Sequence, residues 1–171
     1  MRDPDKTFDH SIFLESIDFI KDKLGETGLT PLQQDVLERL IHTSGDFGVQ
    51  DLLQFTPNAC ECGIRSIKKG SLILTDTAMA AAAIASMADK APNSSVKTVL
   101  DWSPKKAPAG LTRTSIGIEL AWKEIVSRIS LDQAPIVVIG SSPTALHTLL
   151  DLVEQGYPPP GLIVGMPVGF I

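Results

Sequence analysis

The sequence predicts an α/β protein with a mainly parallel sheet covered by helices on both faces. Three observations carry this. Short apolar runs lack the alternation of a half-solvated strand. Stretches with apolar residues at helical spacing separate them. The 171 residues, 43% hydrophobic and 20% charged, suffice to bury one core without disulfide staples. A single domain over residues 1–171 is expected.

Each element has its own signal. From Phe8 to Leu24, the residues Phe8, Ile12, Phe13, Ile17, Ile20 and Leu24 mark a helix that Gly25 stops. In Thr30-Pro31-Leu32-Gln33, Thr30 can cap, Pro31 suits the first helical position, and Gln33 can reach back. The stripe Leu32, Val36, Leu37, Leu40, Ile41 follows, and this helix should end between His42 and Gly45. Val49 to Phe55 reads as a weak fifth strand, and Thr56-Pro57 opens a helix to about Lys69. Ser71–Thr75 and Val96–Leu100 are buried strands, and the loop from Trp102 to Gly110 is a connection. The stretch Leu111 to Ser130 is helical, Pro135–Ile139 is a strand, Ser142-Pro143 opens a helix to about Gln155, and Gly161–Gly165 is the last strand.

Composition narrows the function. With 15 basic against 20 acidic side chains the net charge is −5, which argues against a general nucleic-acid binder, since phosphate affinity is built from Lys and Arg. The apolar tracts Thr77–Ala88 and Gly161–Ile171 fall short of the roughly 20 residues that span a bilayer. The charged N-terminus does not resemble a signal peptide. A soluble, cytoplasmic protein with no membrane or nucleic-acid partner is expected. Cys60 and Cys62, two apart on a helix, read as ordinary reduced thiols rather than a disulfide or metal pair.

In open α/β sheets, ligands bind beyond the C-terminal strand ends, where helix N-termini offer amides and a positive dipole end. Four polar turns stand there: Thr75-Asp76-Thr77, Thr112-Arg113-Thr114-Ser115, Gly140-Ser141-Ser142-Pro143-Thr144, and Gly165-Met166-Pro167-Val168-Gly169. Their hydroxyls and amides suit carboxylate or phosphate oxygens, although Ser142 and Thr114 taken singly read as helix caps. Lys97, Lys105, Lys106 and Arg113 face only Asp101 between residues 97 and 113, a local basic excess that fits a small anion or a simply solvated loop, the latter being the better reading for Lys105 and Lys106. Among the histidines, His10 and His147 read as surface or core groups. His42 closes a helix before Thr43-Ser44-Gly45-Asp46, where the dipole favours a cationic ring that can serve as a general acid, although taken alone a histidine at such a place reads as structural. No nucleophile elbow, dinucleotide fingerprint, Walker motif or zinc-protease motif is present.

The ordered segments resemble the precorrin-8X methylmutase family of cobalamin biosynthesis. The matching residues are Arg39-Leu-Ile-His42 with Gly45-Asp46, Phe55-Thr56-Pro57-Asn58-Ala59, Leu74-Thr75-Asp76 with Met79, Thr112-Arg113-Thr114, Ile139-Gly140-Ser141-Ser142-Pro143-Thr144-Ala145-Leu146, and Gly165-Met166-Pro167-Val168-Gly169-Phe170. The likeness runs from about Asp3 to Phe170. Members place a Tyr ahead of a Ser in the first helix. Ser11 is read as that serine, with no Tyr before it. Members also continue past Gly-Phe into a small-residue turn and a Ser-Lys-Glu stretch, whereas this sequence stops at Ile171.

The resemblance implies a flavodoxin-like three-layer α/β/α fold and an isomerase that moves one methyl group between adjacent ring carbons of a corrin precursor. The precursor is precorrin-8X, giving hydrogenobyrinate, or cobalt-precorrin-8, giving cobyrinate. It implies His42 as the general acid at a ring nitrogen, no metal or organic cofactor, and a homodimer with the ligand near the interface. Carried over, the substrate-binding set is Ser11, Thr75, Asp76, Met79, Thr112, Arg113, Thr114, Gly140, Ser141, Ser142, Thr144, Gly165 and Met166. Arg113 would pair with a carboxylate arm, and Phe47, Met79 and Met166 would support the apolar ring. Two other readings are a non-catalytic corrinoid-binding relative and a small α/β protein whose Gly140–Thr144 turn binds phosphate or a nucleotide.

Overall fold

The computed structural model describes residues 11–91, 94–130 and 133–167. Phe8, His10 and Val168 to Phe170 lie outside the described residues. The chain divides into two compact units, Met1–Cys60 and Glu61–Ile171.

In the first unit, α1 (Ser11–Leu24) packs on α2 (Pro31–Ser44). Their apolar stripes meet in a cluster of Ile17, Ile20, Leu37 and Ile41. The capping box that the sequence announces is formed: Gln33 N–H donates to Thr30 Oγ1 at 3.4 Å, and Thr30 N–H to Gln33 Oε1 at 3.0 Å. Glu38 is buried on α2 and is compensated by Gln34 Nε2 at 2.9 Å and Lys21 Nζ at 3.8 Å. Gly45, at φ 68°, closes the helix by donating to Ile41 O.

Residues 49–55, expected as a weak strand, instead contain the helix α3 (Val49–Leu52). Val49 and Leu53, four apart, both pack against the α1–α2 cluster. The Asp46 carboxylate starts the turn by accepting Gly48 N–H at 2.7 Å. The helix α4 (Ala59–Lys68) also begins later than Thr56-Pro57 predicts. Asn58 adopts φ 59°, and Ala59 N–H bonds to Thr56 O, so these residues form a tight turn ahead of the helix.

Among its described residues the second unit holds a sheet of four parallel strands: β1 (Ile73–Thr75), β2 (Val96–Thr98), β3 (Ile136–Ile139) and β4 (Leu162–Gly165). Their order is β2-β1-β3-β4, with Thr75 opposite Thr98 and Val138. Side chains alternate between faces. Leu74, Val137 and Ile139 pack with Ile118, Ala121, Trp122 and Ile125 of α6 (Arg113–Val126) and Ala145, Leu149 and Leu152 of α7 (Pro143–Glu154). Ile73 and Ile136 meet Ala88 and Ile84 of α5 (Ala78–Ala88) in a separate cluster. The sheet is thus flanked by helices, as the uninterrupted apolar strands require. β2 is shorter than expected because Thr98 Oγ1 takes Leu100 N–H, and a 3-10 turn replaces the strand from Val99 to Asp101. The chain leaves β1 for β2 on one side and returns to β3 on the other, so the topological switch lies between β1 and β3. Among the described residues, no helix is long and apolar enough to cross a membrane.

Candidate functional site

The first unit holds His42 in the last turn of α2. Its Nδ1 lies 2.8 Å from Ser16 Oγ on α1. The imidazole and the Phe13 ring form a T-shaped pair, with ring centroids 4.8 Å apart and planes at 80°, and the Arg39 guanidinium lies 4.9 Å over the same Phe13 ring. The ring itself is exposed. Helical spacing accounts for the geometry, since Phe13, Ser16, Ile17 and Ile20 recur at intervals that share one face of α1. With Nδ1 engaged by Ser16, Nε2 is the ring nitrogen that has no hydrogen bond among the described residues. The sequence alone marks Phe13 only as a residue of the apolar helix stripe and gives Ser16 no role. Ser16 is the polar residue on the packed face of α1, three positions after an aromatic one, and that pattern was the available signal. Ser11 opens the same helix and is exposed.

The second unit gathers polar groups at the C-terminal edge of its sheet. α6 and α7 start there, each with a hydroxyl at the cap and another two positions on: Thr112 and Thr114, Ser142 and Thr144. The four hydroxyls form a closed ring. Thr112 Oγ1 lies 2.7 Å from Thr144 Oγ1 and 3.1 Å from Thr114 Oγ1. Ser142 Oγ lies 2.7 Å from Thr114 Oγ1 and 3.2 Å from Thr144 Oγ1. Thr112 and Ser142 also accept the cap amides of Ser115 and Ala145. Both positive dipole ends therefore converge on one patch of hydroxyls, which must turn out of the ring to meet a ligand and whose outer members Thr112 and Thr144 are exposed.

Arg113 follows Thr112. Its Nε donates to Pro104 O at 3.0 Å, and its carbonyl accepts Ser103 Oγ at 2.6 Å. Among the described residues its terminal nitrogens make no hydrogen bond or ion pair, so an anchored guanidinium offers two parallel donors. Gly117 permits this anchoring. A Cβ there would stand 2.4 Å from both Val99 O and Ser103 Oγ. Lys97 lies 5.5 Å over the Trp102 ring, whereas Lys105 and Lys106 are exposed.

The remaining residues in the turns differ in access. Thr75 is fully buried, with its hydroxyl donating to Thr77 O at 2.8 Å and lying 3.3 Å from Lys97 O. Asp76 is also fully buried, and its Oδ2 accepts the amides of Ser141 and Ser142. Gly140 leads into this turn. Met79 and Met166 are exposed, and Met166 N–H, just after Gly165, donates to Ile139 O. The structure thus brings together Thr112, Thr114, Ser142 and Thr144, and joins Asp76 to Ser141 and Ser142. Met79, Gly165 and Met166 take no part in the ring. His147 is on the surface, 3.7 Å from Asp151, and among the described residues Cys60 and Cys62 form no disulfide.

Comparison with known proteins places this geometry in context. The family model described as precorrin-8X methylmutase matches residues 11–171. The cobalt-precorrin-8 methylmutase of Synechocystis is 31% identical over 95% of this chain and 78% of its own length. The precorrin-8X methylmutase of Pseudomonas aeruginosa is 31% identical over 94% of this chain and 75% of its own. The crystal structure of a precorrin-8X methylmutase from Thermus thermophilus aligns with a TM-score of 0.78 and 31% identity, covering 94% of this chain and 76% of that one.

Proposed function

The chain belongs to the precorrin-8X methylmutase family, an isomerase family of cobalamin biosynthesis, and we propose that His42 is the acid that drives its methyl rearrangement. The reaction moves one methyl group between neighbouring carbons of a precorrin ring. Donation from His42 Nε2 to a ring nitrogen draws electron density from the conjugated system and lowers the barrier to migration. The proton returns to His42 when the methyl has moved, so substrate and product have the same atoms. The observation that carries this reading is the His42–Ser16 contact at 2.8 Å, which engages Nδ1 and leaves Nε2 for the substrate nitrogen.

The second unit supplies binding. A precorrin carries many acetate and propionate arms, which need amides, hydroxyls and a few cations. The Thr112–Thr114–Ser142–Thr144 ring would take one carboxylate, and the two terminal nitrogens of Arg113 would clamp another. Met79 and Met166 would lie under apolar parts of the macrocycle, with Thr75, Asp76, Gly140, Ser141 and Gly165 shaping the sheet edge beside them. Ser11 would contribute from the start of α1. The two units act as one precorrin-isomerase domain, in the cytoplasm, as a homodimer with the ligand near the interface.

The purified chain, supplied separately with precorrin-8X and cobalt-precorrin-8, tests the proposal by the change in the visible spectrum of the ring. Conversion of either one supports it. Tight binding of the product with no conversion of either precursor would favour a corrinoid-binding role. Failure to bind any tetrapyrrole would refute both.

A further inference from the structure

We infer that Asp76 is a positioning residue whose buried carboxylate sets the geometry with which the hydroxyl ring grips a substrate arm. The inference rests on the tetrapyrrole reading above. Asp76 directly follows β1, and its side chain reaches the turn after β3, across the topological switch where open α/β sheets bind ligands. Its Oδ2 accepts Ser141 N–H at 2.8 Å, Ser142 N–H at 2.9 Å and Ser141 Oγ–H at 3.2 Å. Three donors from one turn thus converge on a single oxygen from a residue 65 to 66 positions earlier.

The start of a helix is ordinarily open to an external anion. At α7 the protein's own carboxylate already occupies that place, so the Ser141 and Ser142 amides are not free for a ligand. Asp76 is fully buried, which leaves it no direct contact with substrate. Its Oδ1 is buried with no hydrogen-bond partner among the described residues, an unfavourable arrangement that would be needless if the site required only packing. What the carboxylate does fix is the backbone of Ser142. Ser142 Oγ in turn stands 2.7 Å from Thr114 Oγ1 and 3.2 Å from Thr144 Oγ1, so a displacement of the turn by a fraction of an ångström would open the ring. Asp76 therefore acts on binding through Ser142, not on the methyl shift itself.

Steady-state kinetics with the corrin precursor tests this through three substitutions. Asp76→Ala should raise KM about tenfold or more while kcat changes little. Asp76→Asn keeps an acceptor oxygen in place and should restore most of that loss. Asp76→Glu keeps the charge but displaces the oxygen, and should raise KM as Ala does. If Asp76→Ala does not fold, the Asn and Glu variants decide the matter, because shape and charge predict opposite orders. Excess formate, which fits the space left in Asp76→Ala, should lower its KM, whereas chloride should not. An unchanged KM in Ala and Glu, an Asn variant as impaired as Ala, or a fall in kcat at constant KM would each overturn the inference. The amide proton signals of Ser141 and Ser142 supply a readout independent of substrate. If formate restores those signals in Asp76→Ala but wild-type protein binds no corrinoid, the functional reading fails and Asp76 is a turn anchor only. If formate leaves them unchanged, the positioning inference fails whatever the substrate.

Discussion

Replacing Thr114 by valine removes one hydroxyl from the ring and keeps almost the same shape. The oxygen lost lies 2.7 Å from Ser142 Oγ and 3.1 Å from Thr112 Oγ1. Two net hydrogen bonds at about 0.5–1.5 kcal/mol each give a cost of about 1–3 kcal/mol to the free protein. Part of Thr114 is solvent-accessible, so water can replace some of this and the lower end is expected. A chain of this size then melts about 2–4 °C lower per kcal/mol. Binding should suffer more, because a hydrogen bond to a carboxylate contributes about 1.5–3 kcal/mol, or a ten- to hundredfold loss in affinity. Titration of the visible spectrum with the corrin product, for Thr114→Val and Thr114→Ser side by side, measures the difference. The serine variant keeps the hydroxyl and should bind within about threefold of wild type, less than 1 kcal/mol. Equal affinities for the valine and serine variants would refute the reasoning that the ring is the carboxylate site.

Other predictions address neighbouring parts of the structure. Ser16→Ala should lower kcat about fivefold, the equivalent of one hydrogen bond, with little change in KM, and an unaltered kcat would remove Ser16 from the account. Arg113→Lys should raise KM about tenfold, because a lysine cannot hold Pro104 O and still offer two parallel donors; a silent exchange would show that the guanidinium does not clamp a carboxylate. Gly117→Ala forces a Cβ to 2.4 Å from Val99 O, and should cost about 1–3 kcal/mol, measured as a lower melting temperature. A melting temperature equal to wild type would contradict the close approach of the Val99–Asp101 turn to α6.

Much of the architecture can be read locally, because caps and stripes are short-range signals. Thr30 with Gln33, and Ser142 ahead of Pro143, start helices where their side-chain chemistry says they should. The apolar strands likewise pair in parallel. Where local reading failed, tertiary packing had decided. Val49 to Phe55 is compatible with a strand over a short window, and only the cluster that receives Val49 and Leu53 shows its helical period. Thr56-Pro57 repeats a capping pattern, yet the left-handed Asn58 postpones the helix.

The functional groups divide in the same way. His42 stands out because it closes an apolar stripe, and the two hydroxyl pairs stand out because they begin helices. The closed ring they form was not visible, since Thr114 and Ser142 are 28 positions apart. Nor was the Asp76–Ser142 bond. The orienting partner of His42 is Ser16, on a helix whose register becomes evident only from the packing of Ile17 and Ile20 against α2.

The central claim is that the His42 imidazole delivers the proton for methyl migration. The direct measurement is single-turnover conversion of the precursor by His42→Ala, with affinity for the product determined on the same preparation. Conversion should slow by roughly a hundred- to ten-thousandfold, with product affinity close to wild type. Conversion at the wild-type rate by a folded, product-binding His42→Ala protein would contradict it.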